Sequence, residues 1–140
     1  MRTNHWLAER LDSIHLQYFA DVPIKNVILV RFGRESRNRF GSIIAKPHKG
    51  YTQPVSQITI NSLFRKEEVP EYVVDATLAH EFTHYAHGFH SPLERLHAYP
   101  HKGGVVTKEL VKRGAGELMG KQKAWIKREY RDFLRTNHKL

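Results

Sequence analysis

Apolar positions recur along this chain in two rhythms. Trp6, Leu7, Leu11, Ile14, Tyr18 and Phe19 fall three to four residues apart, which predicts an amphipathic helix over residues 4–20. The rhythm then shortens. Val27 to Phe32, Phe40 to Ala45 and Val55 to Ile60 are β-branched or aromatic runs, so three strands are expected. A charged, arginine-rich hairpin is expected between the first two, and the Pro47 to Pro54 loop between the last two. Helical spacing returns at Val73, Val74, Thr77, Leu78, Phe82 and Tyr85, with Pro70 in a favourable opening position and Gly88 as the stop. Gly103 and Gly104 then precede Val105, Val106, Leu110 and Val111, and Gly114 closes that segment. A last helix is expected from Glu117 to Leu134, with Leu118, Gln122, Trp125, Ile126, Glu129, Tyr130 and Phe133 on one mostly apolar stripe.

The order of elements is α+β. With 140 residues, 40% of them hydrophobic, the chain suits one compact domain over residues 1–140, a small three-stranded sheet packed against the Pro70–Gly88 helix with further helices at both ends. No run of about 18 apolar residues is present, and Glu9, Arg10 and Asp12 interrupt the first apolar pattern where a signal peptide needs an unbroken stretch. A cytoplasmic protein with no membrane partner is expected. There is no Cys, which excludes disulfides, thiolate metal sites and cysteine nucleophiles together. Any metal must be held by histidine and carboxylate.

The formal charge of +9 is concentrated. Residues 31–50 hold six Lys/Arg against Glu35, and residues 121–140 hold seven against Glu129 and Asp132. Arg31, Arg34, Arg37 and Arg39 stand near Phe40; Lys121, Lys123, Lys127, Arg128, Arg131 and Arg135 stand near Trp125 and Tyr130. Cations mixed with aromatics suit contact with DNA or another polyanion. A solvated basic face with its aromatics turned into the core has the same pattern.

Residues 80–84 read His80-Glu81-Phe82-Thr83-His84. On a helix this H-E-x-x-H spacing sets two imidazoles one turn apart with a carboxylate beside them, the zincin signature. His80 and His84 can bind one Zn²⁺, and Glu81, next to the metal without ligating it, can serve as general base toward a water in peptide hydrolysis. A catalytic zinc needs a third protein ligand. Candidates are His87, His90, His97 and His101, with Glu94 and Glu109 as carboxylate options. His87 is on the same helix and flanks the pair. His90 lies ten residues after His80, a spacing used by other zinc proteases, although Gly88 stands one place later than that pattern wants. His101 stands beside Gly103 and Gly104, where the backbone can approach a metal closely. Spacing alone does not choose between them.

The resemblance extends beyond the pentapeptide. Phe40-Gly41-Ser42, then Ile58-Thr59-Ile60-Asn61-Ser62-Leu63-Phe64, then Thr77-Leu78-Ala79-His80-Glu81-Phe82-Thr83-His84-Tyr85-Ala86 follow in the order seen in SprT-like metallopeptidases, which this chain resembles over residues 5–114. The segment from His101 to Gly114 is similar to that family's H-G-x-x-F-x-x-x-[LM]-x-x-x-G, with one extra residue after the histidine and a valine where an aromatic is usual. The resemblance implies a zincin-like fold, a zinc peptidase acting on proteins associated with DNA, and His101 as third ligand. A competing resemblance, to the H-E-x-x-H-x-x-x-G-x-H core of Wss-like proteases, implies His90 instead.

A reading from another class stands beside the enzyme: a basic nucleic-acid-binding module whose histidines hold a structural, non-catalytic zinc. Such a site is closed by four protein ligands, which the surplus histidines can supply, but it has no use for a carboxylate beside the first ligand. Glu81 therefore favours the enzyme.

Overall fold

The computed structural model describes residues 1–138 and has the α+β order expected. Helix α1 spans Asn4–Tyr18 and is capped by Thr3, whose hydroxyl accepts the Trp6 N–H at 3.1 Å. Its face carrying Leu7, Leu11 and Ile14 is buried. Three strands follow, β1 (Ile28–Phe32), β2 (Gly41–Lys46) and β3 (Val55–Ile60), and then a short 3₁₀ turn at Ser62–Arg65.

The sheet order is β1-β3-β2, so the arginine-rich segment is not a hairpin. β3 lies in the middle, parallel to β1 (Ile28 opposite Ser56) and antiparallel to β2 (Ser42 opposite Thr59). Residues 33–40 therefore carry the chain from one edge of the sheet to the other. The physical reason lies in burial. Val55, Ile58 and Ile60 are fully buried and need the central place, whereas Ile44 and Ala45 of β2 are exposed and tolerate an edge. The Phe40 carbonyl accepts the Asn61 N–H and the pairing alternates from there, so the backbone groups of Gly41, Ile43 and Ala45 point out from that edge.

Helix α2 (Glu71–Ala86) runs through the centre of the molecule, with Pro70 one place before its first turn. Twelve of its residues, from Val73 to Tyr85, are buried, because α1, strands β2 and β3 and the next two helices pack on it. Arg10 ties α1 to it with a two-pronged bond to Asp75, Nε to Oδ1 at 2.9 Å and Nη2 to Oδ2 at 2.6 Å. It stops where expected. Gly88, at φ 83°, donates to the Tyr85 carbonyl and Phe89 donates to that of His84, which closes the helix end in a Schellman turn.

The C-terminal region departs from expectation. Instead of one helix over 117–134 there are two, α4 (Gly116–Arg128) and α5 (Tyr130–Asn137), after α3 (Val105–Lys112). Glu129 breaks the run at φ −119°, with no Gly or Pro to announce it. Packing takes precedence over helix continuity here. Trp125 meets Phe64, Tyr130 and Phe133, while Tyr130 lies edge-on to Phe40 at 5.1 Å and donates its hydroxyl to the Arg37 carbonyl. The break turns Glu129 and part of Ile126 out of the expected stripe. Of the aromatics in the basic segments, Trp125 is buried and Phe40 and Tyr130 are half-buried against the core. Lys139 of the second basic segment lies outside the described residues. Among the described residues no helix is long and apolar enough to cross a membrane.

Candidate metal centre

His80 and His84 lie one turn apart on α2, and the chain brings a third imidazole to them from the turn before α3. The candidate ligand nitrogens of His80, His84 and His101 all lie within 4.8 Å of one another, close enough to bind one metal ion. The rings surround a common point, with centroids 4.9 Å apart for His80 and His84, 4.6 Å for His84 and His101, and 5.6 Å for His80 and His101. His101 gets there through Gly103 and Gly104, both in the left-handed region at φ 75° and 68°. Room for close approach to other protein atoms is not what these glycines supply: a Cβ on either meets nothing within 4 Å. They supply the reversal that starts α3 with His101 facing α2.

The other candidates stand outside this group of three, although His90 lines the same cavity. His90, with φ 53°, accepts the Ala45 N–H on its Nδ1 at 3.2 Å and the Ser56 hydroxyl on its carbonyl at 2.6 Å, which holds it against the β2 edge. His87 is buried with its Nε2 3.1 Å from Glu109 Oε1, and His97 packs on its ring at 4.5 Å. Glu109 is held in turn by Arg113 Nε at 2.7 Å, and Arg113 also grips Asp21. This network ties the C-terminal end of α2 to the segment Val105–Lys112 and to Asp21. Glu94 is exposed and outside the group.

Electrostatics suit a cation. Burial lowers the His80 imidazole to about 4, helped by the charge His101 would carry, and lowers His84 to about 3, helped by His80 and His101. Both are therefore neutral at pH 7 and offer lone pairs. The buried Nδ1 of His84 has no hydrogen-bond partner among the described residues. Three imidazoles with no thiolate fit a metal of borderline softness such as zinc. Glu81, 6% exposed, is pushed up to about 7 by burial, against the pull of Arg39.

Glu81 borders two cavities. One, of about 290 Å³, is lined by Gly41, Ser42 and Ile43 of β2 together with His80, His84 and His101. The other, of about 340 Å³, lies between residues 38–41, Thr77 of α2 and Gln122 of α4. Gly41 makes this juxtaposition possible, because a Cβ there would sit 2.9 Å from Thr77 Cγ2 and 3.3 Å from Ile60 Cδ1, forcing β2 off α2. Arg39 lines both cavities, a position that its place in a run of arginines concealed. Its segment is pinned by the buried Asn61, whose amide donates to the Ser36 and Arg39 carbonyls and whose Oδ1 accepts the Leu63 N–H at 3.0 Å. An asparagine directly after a strand, flanked by buried neighbours, was the signal available for this.

The two basic segments meet. Arg37 of the first and Arg131 and Arg135 of the second line one groove of about 540 Å³ together with Ile126 and Tyr130, and His138 is bound there to Glu35 at 2.7 Å. No family model, curated protein or solved structure matches this chain.

Proposed function

We propose that this protein is a zinc-dependent metallopeptidase of the SprT-like, zincin kind, hydrolysing peptide bonds with Glu81 as general base and acting on proteins associated with DNA. The observation that carries the reading is the convergence of His80, His84 and His101 beside a buried carboxyl that opens onto the same cleft. Zinc held by the three imidazoles would supply Lewis acidity, polarising a substrate carbonyl and acidifying water. Glu81, poised near neutrality by its burial, takes the proton from the attacking water and passes it to the leaving amine. The outward N–H and C=O groups of Gly41 and Ile43 offer an extended peptide the hydrogen bonds of an added strand, which presents its scissile bond along α2.

A closed structural zinc is the other reading, and it needs a fourth ligand. His90, which lines the same cavity, accepts the Ala45 N–H on its Nδ1, and Glu81 has no part to play in such a site. The DNA-linked part of the proposal is supported by the charge of +9 and by the groove shared by Arg37, Arg131 and Arg135. Its three arginines, set around the half-buried Tyr130, suit phosphates.

The test is the Glu81→Gln variant, assayed for zinc by elemental analysis and for proteolysis on an unfolded protein such as casein. It should retain about one zinc per chain while cleavage falls by about 10²-fold or more. Cleavage at the unmodified rate would refute the role of Glu81, and full zinc content in a His80→Ala/His84→Ala variant would refute the site.

A further inference from the structure

We infer that Arg39 makes the cavity between residues 38–41, α2 and α4 an anion-selective subsite, so that the cleft favours peptides placing an Asp or Glu side chain beside the bond to be cut. The inference rests on the peptidase reading and names the substrate class for it.

The donors and acceptors of the cavity are unevenly free. Thr77 spends its hydroxyl proton on the Val73 carbonyl at 2.8 Å and accepts from Gln122 Nε2 at 2.9 Å; the same Gln122 amide also donates to Val73 at 3.0 Å. These side chains close the wall by bonding to one another. Besides His80 and Glu81 of the candidate metal centre, what remains for a ligand are the donors of Arg39 and of Asn38. None of the ion pairs among the described residues involves Arg39, although it is surrounded by a fold that pairs Arg10, Arg113 and Arg135 with carboxylates. Arg39 is exposed, and its backbone is fixed by the Asn61 amide at 2.9 Å from its carbonyl and by the Ser36 hydroxyl accepting its N–H at 3.1 Å, so the side chain leaves from an anchored point at the cavity wall. To a carboxylate entering the cavity, Arg39 offers an opposite charge and a two-pronged bond. A neutral side chain gains neither. Arg37, two residues away, serves the other face of the segment in the groove with α5. The basic run is thereby divided, one arginine for the cleft and its neighbour for the outer groove.

Two measurements test this on the zinc-loaded protein. In the first, a peptide library with each position randomised is digested and the products are read by mass spectrometry. Acidic residues should be enriched at one position flanking the cut, Arg39→Gln should remove that enrichment by about tenfold, and Arg37→Gln should leave it. Absence of enrichment, or its loss in Arg37→Gln and not in Arg39→Gln, overturns the subsite and leaves the peptidase reading standing. In the second, fluorescence anisotropy follows two labelled hexapeptides that differ by one central Glu or Gln, binding to the Glu81→Gln variant. The Glu peptide should bind more tightly, and Arg39→Gln should erase the difference. Equal binding of the two peptides, or no binding of either, overturns the subsite even where cleavage itself fails.

Discussion

Replacing Glu81 by Gln removes a carboxyl that the fold holds against its own preference, and this should strengthen the protein while silencing it. Burial lifts the group from an ordinary 4.5 to about 7, net of the opposing charge of Arg39. At 1.36 kcal/mol per tenfold change, the ionised carboxylate then costs the folded chain roughly 3 kcal/mol at high pH. The sign follows from the direction. A folded-state value above the unfolded one gives stability that is complete below about 4.5 and declines as pH rises toward 7. The neutral amide escapes that decline. In protein stripped of metal by a chelator, the variant should therefore gain on the parent by about 2 kcal/mol between pH 5 and pH 8, read from urea unfolding midpoints at matched slopes. Protonation of His80 and His84 is common to both chains and cancels in the difference. With zinc restored, the nearby cation favours the carboxylate and the gap should narrow. A gap of the same size at pH 5 and pH 8, or none at either, would show that Glu81 is solvated and not poised, and the argument for it as a base near neutrality would go with it.

His101→Ala should lose zinc in a competitive chelator titration while His90→Ala keeps it; the reverse result would assign the third ligand to His90. Arg2 is buried with its guanidinium on the Phe64, Lys66 and Val69 carbonyls at 3.1, 3.3 and 2.6 Å, so Arg2→Met should cost about 2–3 kcal/mol in urea unfolding, and a loss below about 0.5 kcal/mol would show those bonds to be idle. If the outer groove takes phosphates, DNA affinity should fall steeply with salt, and joint replacement of Arg37, Arg131 and Arg135 by Ala should lower the slope of log K against log salt by about 3 without disturbing zinc. An unchanged slope would leave the groove as solvated surface.

Periodicity made α1, the three strands and α2 legible because each carries apolar residues at the spacing of its own element, and the histidine pair came with α2. The rest needed contacts that no local pattern encodes. Sheet order depends on which strand buries both faces, and Val55, Ile58 and Ile60 differ from Ile43 and Ile44 in this only once the helices are in place. The break at Glu129 comes from aromatic packing by residues as distant as Phe40 and Phe64. His101 was visible as a candidate, but its choice over His90 turns on a single hydrogen bond to Ala45 and on two left-handed glycines. Arg39 stood in plain view among its neighbours, indistinguishable from them until Asn61 placed it.

The hydrogen bond between His90 and the Ala45 N–H has one more effect. An uncovered strand edge is an invitation to self-assembly, since a second copy can continue the sheet as readily as a peptide can. Here His90 occupies the outward donor at Ala45, leaving Gly41 and Ile43 as the free rungs, and that is a short ladder for a partner strand. Copies carrying a charge of +9 also repel one another. An edge kept open for small visitors is thus guarded against its own kind, and loss of His90 should show first as clumping of the protein at high concentration.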